Sequence, residues 1–130
     1  MNKAKKGYKD NIENETLANT NFRTVLYTGK LQLVLMTLKP GEDIGAEVHN
    51  GHDQFFRFES GVGEVLLGDE TFEVKDGDAI IVPDGTMHNV TNVSKTENLT
   101  LYTIYAPPEH RPGTVHVTKE EALKDEGDHF

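Results

Sequence analysis

The sequence predicts an all-β fold, a sandwich or a barrel, in which helix is confined to the two ends of the chain. Many short segments rich in Val, Ile, Leu, Thr and Phe follow one another along the chain. Turns that contain Gly or Pro separate these segments at regular intervals. The 130 residues are enough for one domain with a modest core and short terminal arms.

The composition restricts the partners and the compartment that we expect. With 22 acidic and 13 basic residues, the formal net charge is −9, and such a surface repels the phosphate backbone of a nucleic acid. No apolar run is long enough to cross a bilayer, and the charged N-terminus lacks the apolar region of a secretory signal. The absence of cysteine excludes disulfides and thiolate zinc sites. We expect a cytoplasmic protein without nucleic-acid or membrane partners.

The clearest β signal begins at Arg23. Residues 24–28 and 31–38 are predicted to form two strands joined by a turn at Gly29 and Lys30. Further strands are predicted, in chain order, at 48–49, 54–60, 64–67, 70–74, 79–82, 88–92 and 99–105. A turn is expected at Gly61 and Gly63.

The two ends of the chain have a different character. Residues 12–22 are compatible with a short strand near Ile12 or with a helical turn around residues 16–19. Near the other end, Thr118 and Glu121 have the spacing of a capping box ahead of a short helix, with Gly127 as a natural stop. We therefore divide the chain into an N-terminal arm (1–22), a barrel (23–106) and a C-terminal tail with a short helix (107–130).

Several polar side chains fall on positions that the strand pattern turns inward. Glu47 and His49 are two residues apart, so on a strand they share one face. Gln54 begins a strand whose same-side neighbours, Phe56 and Phe58, are apolar, so it is expected to point into the core with them. A buried glutamine needs hydrogen-bond partners or a metal ion.

His88 begins a strand far along the chain from this group. If the strands meet, Glu47, His49, Gln54 and His88 offer two imidazoles, one carboxylate and one amide oxygen. This mixed set suits one divalent ion of iron, manganese, nickel or zinc better than calcium. With one carboxylate, the site and its ion would carry a net charge of about +1, which favours an anionic oxygen ligand at an open position.

Two motifs resemble those of a known family. The second cupin motif is matched in full, by Gly77, Pro83, Gly85, His88 and Asn92. The first cupin motif is matched at Gly41, His49 and Gly61, while Glu47 stands for its first histidine and Gln54 for its glutamate. Over roughly residues 24–106 the chain resembles the cupin superfamily, specifically the small single-domain cupins often described as mannose-6-phosphate-isomerase-like. The resemblance implies a double-stranded β-helix, or jelly-roll barrel, commonly paired as a homodimer.

The resemblance also implies metal-ligand roles. His49 and His88 match the family's ligands in type and in place, whereas Glu47 and Gln54 match in place only. Uronate-linearising cupins of pectin and alginate breakdown look similar in having glutamine at that place. Residues 102–116 also resemble a tail shared by one subgroup of small cupins.

Each candidate also has a purely structural interpretation. His49 and His88 would then be hydrogen-bonded core histidines, Gln54 a packing residue and Glu47 a surface carboxylate.

Outside this set, we expect polar side chains to be exposed to solvent. His52 and Asp53 are predicted to lie on a solvated rim, with the alternative that either replaces Gln54 as a ligand if Gln54 does not bind. His110, His116 and His129 are predicted to be solvated, unless the tail folds over the barrel mouth and brings His110 or His116 close to the site.

Three functions remain open at this point. The first is a metal-dependent enzyme, an isomerase or a dioxygenase, that acts on a small oxygenated molecule such as a sugar or sugar acid. The alternative is a non-catalytic module that binds a small ligand or senses a metal. The third is a structural protein in which the metal only stabilises the barrel.

Overall fold

The chain folds as a double-stranded β-helix, or jelly roll, in a computed structural model that describes residues 6–128. The predicted all-β class with a short C-terminal helix is confirmed. The strands are β1 (Arg23–Thr28), β2 (Gln32–Leu38), β3 (Asp53–Ser60), β4 (Val62–Leu67), β5 (Glu70–Lys75), β6 (Ala79–Val82), β7 (His88–Asn92), β8 (Leu99–Ala106) and β9 (Val115–His116). The helices are α1 (Ile12–Ala18) and α2 (Lys119–Lys124).

The strands form two antiparallel sheets. The larger sheet has the order β6-β3-β8-β2-β1-β9, and the smaller one has the order β5-β4-β7. The chain just before β3 extends the smaller sheet through two isolated bridges, Asp43 with Thr91 and Glu47 with His88. This extension places Glu47 beside the first residue of β7.

The core is one cluster of buried side chains that both sheets contribute, including Met36, Leu38, Phe56, Phe58, Val65, Val90, Leu99 and Leu101. On β3, burial alternates along the strand up to Phe58, as a strand with one inward face requires. Gln54 lies on the inward face with Phe56 and Phe58, as predicted. Burial of such apolar side chains stabilises the fold by roughly 1.5–3 kcal/mol each.

Gly61 explains why the first motif ends on glycine. Its φ is +90°, a conformation that side chains disfavour. A Cβ atom at this position would lie 2.4 Å from the carbonyl oxygen of Asn98. The backbones therefore approach each other more closely here than any other residue type permits.

A helix forms near each end of the chain, as predicted. The ambiguous stretch forms α1, and the side chain of Asn11 caps it by accepting from the N–H of Asn14. At α2, the Thr118 hydroxyl accepts from the N–H of Glu121, as the capping box predicts. Glu121 in turn accepts from the N–H of Val117. Within residues 6–128, no helix is long and apolar enough to span a membrane.

Two local predictions are wrong, and one strand was missed. Val48 and His49 are not in a strand, because Gly45 at φ +108° interrupts the extended path and only Glu47 forms a bridge. Gly63 does not form a turn but lies inside β4. The two-residue strand β9 was not predicted, since so short a segment carries no alternation.

The tail packs against the barrel, and His110 and His116 are buried. The prediction that His110 and His116 are solvated is wrong, because each ring contacts a carboxylate of the same tail. Nδ1 of His110 lies 2.6 Å from Asp128, and Nε2 of His116 lies 2.9 Å from Asp125. The remaining tail histidine, His129, falls outside the described residues.

Candidate metal centre

The structure brings Glu47, His49 and His88 together. Glu47 and His88 each donate the backbone N–H to the other's carbonyl at 2.9 Å, which fixes their side chains next to each other. The carbonyl of His49 accepts from the N–H of Gly85 at 2.9 Å. One ligand atom from each of the three side chains lies within 4.8 Å of the other two. Ligand atoms that share one ion lie up to about 4.2 Å apart, so the three groups need little movement to do so.

The His49 ring lies between two carboxylates. Oε2 of Glu47 is 2.7 Å from Nε2, and Oε2 of Glu109 is 3.2 Å from Nδ1. Although the Glu47 contact is short, buried Nε2 makes no hydrogen bond of normal geometry. We therefore describe Glu47 and His49 as a close charge pair in which Nε2 can bind an ion once it loses its proton.

The His88 ring has a defined orientation. Nδ1 lies 3.0 Å from the carbonyl oxygen of Thr86, which can only accept, so Nδ1 carries the proton. The lone pair is therefore on Nε2. A ligating histidine usually donates its other ring N–H in this way.

Gln54 lies in the interior beside this group. Its Nε2 donates to the hydroxyl of Thr103 at 2.9 Å. Its Oε1 is buried and has no hydrogen-bond partner, an arrangement that costs free energy unless something else binds the oxygen. Gln54 pairs across the sheet with Tyr105, whose ring contacts the His49 ring at 5.7 Å between centroids.

The pKa values reflect burial opposed by close charges. Burial lowers the pKa of His49, but Glu109 and Glu47 outweigh it and raise that pKa to about 9. Burial raises the pKa of Glu47, but His49 more than offsets this, so the carboxyl stays below its usual value. Burial, with the charge of His49, lowers the pKa of His88. Burial also raises the pKa of Tyr105, which therefore remains a neutral phenol.

Two residues next to the site were not predicted from the sequence. Glu109, in the tail, has its carboxylate against His49 and also 3.3 Å from Nε2 of His52. Arg23, the first residue of β1, is buried, and its charge favours the ionised form of Glu47. Neither position has a local signal, because both contacts join segments that are far apart along the chain.

His52 differs from its prediction as a solvated rim residue. Its Nδ1 lies 2.6 Å from the carbonyl oxygen of Pro107, and its ring contacts the His49 ring at 5.9 Å between centroids. Asp53 is exposed, as predicted, and accepts from the N–H of Asp84. His52 therefore joins the tail to the site, while Asp53 only orders a neighbouring turn.

The tail leaves one side of the site more open than the others. The side chain of His49 is 10% exposed, while that of Glu47 is 31% exposed. Beside Glu47 lies a cavity of about 80 Å³, whose lining also includes Phe22, Arg23, Ile44 and Lys119. Access from outside is therefore easiest past Glu47.

A second cluster of histidine and carboxylate side chains lies in the tail. His116, Asp125 and Asp128 also have ligand atoms within 4.8 Å of one another. Two guanidinium groups already contact this group, Arg23 at 3.1 Å from His116 and Arg111 at 3.1 Å from Asp125. Because these positive charges balance the carboxylates, the group is better suited to hold the tail than to bind a cation.

Comparison with known proteins identifies the family of this fold and site. Residues 34–105 match the family model described as a cupin domain. The uncharacterized protein YrkC of Bacillus subtilis is 50% identical over 123 residues, which cover 89% of this chain and 66% of YrkC. An uncharacterized protein of Acanthamoeba polyphaga mimivirus is 42% identical over 119 residues, which cover 88% of this chain and 74% of that protein. The chain thus spans about two thirds of the Bacillus subtilis relative.

A solved structure has the same fold over nearly its whole length. BH2720 from Bacillus halodurans superposes with a TM-score of 0.88 at 47% sequence identity. The match covers 91% of this chain and 94% of BH2720.

Proposed function

The chain belongs to the cupin family, and on that premise we propose that it binds one divalent metal ion through Glu47, His49, Gln54 and His88. The ion is iron, manganese, nickel or zinc, because the set combines imidazole nitrogens with carboxylate and amide oxygens. The observation that carries the proposal is the unused bonding capacity of the buried site. Nε2 of His49 and Oε1 of Gln54 are both buried without a hydrogen-bond partner.

The function that this site supports best is catalysis on a small oxygenated molecule of the sugar or sugar-acid type. A bound ion would supply Lewis acidity and an open position for substrate oxygens. Glu47, the most exposed of the three clustered side chains, lies where a substrate enters and is charged near neutral pH. Isomerisation and oxidation are the two reaction classes that we propose.

A non-catalytic binding module is the second candidate. The cavity beside Glu47 measures only about 80 Å³, and the tail covers His49, which favours a small ligand or a metal alone. Chelation separates both of these functions from the third, a structural ion that only stabilises the barrel. A large drop in melting temperature without metal would favour a structural ion, whereas a small drop would favour an open, reactive site.

Metal analysis of the purified protein tests the proposal. Wild-type protein is expected to hold about one ion per chain after exposure to each of the four metals, and His88→Ala is expected to hold none. Met87→Ala is the matched control, because Met87 is adjacent and exposed but offers no ligand of the set. Stoichiometric metal in the His88→Ala variant would rule out this site.

We further propose a cytoplasmic homodimer in the mannose-6-phosphate-isomerase-like subgroup, with arm, barrel and tail at 1–22, 23–106 and 107–130.

Support for the dimer comes from the outer face of the larger sheet. Ile81, Phe55, Ile104 and Leu33 are aligned across β6, β3, β8 and β2 in one apolar row. A groove of about 610 Å³ with a mainly apolar lining continues from Leu33 and Ile104. A second copy of the chain would cover both.

A further inference from the structure

We propose that Glu109 is a positioning residue for the metal centre. Its carboxylate accepts a hydrogen bond from the Nδ1–H of His49 and so directs Nε2 of that ring toward the ion. The inference rests on the metal site proposed above. It assigns to the tail a role in the chemistry of the barrel, because Glu109 lies outside residues 34–105 that match the cupin domain.

The contact has the geometry that this role requires. Oε2 of Glu109 is 3.2 Å from Nδ1 of His49, while Glu47 lies on the opposite, Nε2 side of the ring. A carboxylate accepts only, so Nδ1 keeps its proton, and Nε2 is the nitrogen that gives up its proton when the ion binds. Because Glu109 is at Nδ1, it is placed to orient the ring and not to share the ion.

The other imidazole of the site is oriented in the same manner. Nδ1 of His88 donates to the carbonyl oxygen of Thr86, so both rings are held through Nδ1. For His88 the acceptor comes from its own chain segment, whereas for His49 it comes from 60 residues further along the sequence. A histidine ligand with a carboxylate on its second nitrogen is also more basic, which strengthens metal binding.

A buried glutamine holds Glu109 in place. Oε1 of Gln32 accepts from the backbone N–H groups of Glu109, at 3.1 Å, and of His110, at 2.9 Å. Its Nε2 donates to the carbonyl oxygen of His110 at 2.7 Å. Gln32 has no exposed surface, so these three hydrogen bonds are shielded from water and fix the tail at the point where it reaches the site.

His110 and His52 hold the tail in place independently of Gln32. Nε2 of His110 lies 3.3 Å from the hydroxyl of Tyr105, and its Nδ1 contacts Asp128. His52 contacts both the Glu109 carboxylate and the carbonyl oxygen of Pro107. The carboxylate therefore has two histidine neighbours and a backbone clamped on each side, which limits its freedom to leave His49.

Four variants test this role: Glu109→Ala, Glu109→Gln, Gln32→Met and the control Glu120→Ala. Glu120 is another tail carboxylate, exposed on α2 and paired only with Lys124 among the contacts described. The affinity for Zn²⁺ is measured by competition with a chelator at one pH. In parallel, the Co²⁺-loaded proteins are compared by NMR for the shifted, exchangeable ring N–H signals of His49 and His88.

We expect Glu109→Ala to weaken Zn²⁺ binding by about 10–100-fold and to lose the His49 signal while the His88 signal remains. Glu109→Gln retains an acceptor oxygen, so its loss should be smaller and its His49 signal should persist. Gln32→Met should resemble Glu109→Ala, and Glu120→Ala should match the wild type.

The possible failures are distinguishable. If the wild type binds Zn²⁺, His88→Ala does not, and Glu109→Ala is unchanged, the positioning role is wrong and the metal site stands. If Glu109→Ala weakens binding but keeps a protected His49 N–H, the effect is structural and the role is again wrong. If the wild type binds no metal, both proposals are overturned.

Discussion

Oε2 of Glu47 lies 2.7 Å from Nε2 of His49, so a carboxylate and an imidazole occupy positions from which both can reach the same ion. With Glu109 on the other nitrogen, the ring between them is held in its charged form by two anions. Binding of a cation must therefore expel a proton from a site that stabilises it.

This arrangement predicts that metal binding depends on pH. Because the pKa of His49 is raised to about 9, Nε2 is protonated at neutral pH, and an incoming ion displaces that proton. The apparent affinity should rise by about tenfold for each pH unit from 6 to 8 and level off above 9. Calorimetry in buffers of different ionisation enthalpy should show about one proton released per ion at pH 7. Binding that is independent of pH over this range would contradict the proposed ligand.

Gln54→Glu should have opposite effects on the two forms of the protein. In the metal-bound form, a carboxylate replaces a neutral oxygen, so affinity should increase at least tenfold. In the metal-free form, an unpaired carboxylate is buried next to Thr103, so the free energy of unfolding should fall by about 1–3 kcal/mol. Chelator competition and urea unfolding measure the two effects.

The matched variant for that experiment is Gln54→Leu, which has a similar size and no ligand atom. It should bind metal more weakly than the wild type. Tighter binding by Gln54→Leu, or weaker binding by Gln54→Glu, would place Gln54 outside the coordination sphere.

The two glycines of the first motif should differ in their sensitivity to alanine. At Gly41, with φ +78° and no atom near the added Cβ, only the backbone conformation is penalised, by about 1 kcal/mol. At Gly61, the conformational cost is joined by a 2.4 Å contact with the Asn98 carbonyl, so the loss should exceed about 3 kcal/mol. Chemical denaturation of both variants tests the difference, and equal losses would show that the contact relaxes.

Asp43 should contribute stability that is lost in acid. Hydrogen bonds from Lys119 and Asn89 lower the pKa of Asp43 below its usual value. A carboxylate of this kind stabilises the folded state above its unfolded pKa of about 3.9 and ceases to do so as the pH falls through its lower folded value.

Asp43→Asn should therefore lower stability by less than about 1 kcal/mol at pH 7, since the pair is partly exposed. The difference from the wild type should shrink as the pH falls below about 3.9. Thermal unfolding between pH 2.5 and 7 measures this, with Glu120→Gln as the control at a largely exposed pair. A difference that stays constant over this range would mean that Asp43 acts through its shape and not its charge.

The proposed dimer predicts which surface substitutions release monomers. Ile81→Lys and Leu33→Lys place charges in the apolar row on the outer face of the larger sheet, where a partner would exclude water. Val93→Lys, at an exposed residue after the smaller sheet, is the control. Sedimentation should show a dimer for the wild type and the control and a monomer for the other two. A monomeric wild type would refute the arrangement.

The sequence predicts the barrel well because its strands carry strong local signals. Gln54, Phe56 and Phe58 alternate with polar neighbours, and the buried face follows from that alternation alone. The sequence also predicts that Glu47 and His49 lie together, on the reasoning that they share one face of a strand. Their segment, however, is irregular and not a strand, because Gly45 breaks the extended path.

The tail was not predictable, and the reason is physical. Glu109, His110 and His116 look like ordinary solvated residues, and their burial depends on contacts with Gln32 and Arg23 from the other end of the chain. No local periodicity encodes a contact across 77 residues. Long-range polar pairing of this kind becomes visible only in three dimensions.

The location of Glu109 has a practical consequence for anyone who shortens this protein. Residues 34–105 contain every proposed ligand, so a fragment cut at those limits would include the whole proposed coordination set. It would nevertheless lack Glu109, whose carboxylate contacts His49, and Gln32, which anchors that part of the tail. Failure of such a fragment to hold metal would then say nothing against the ligands themselves.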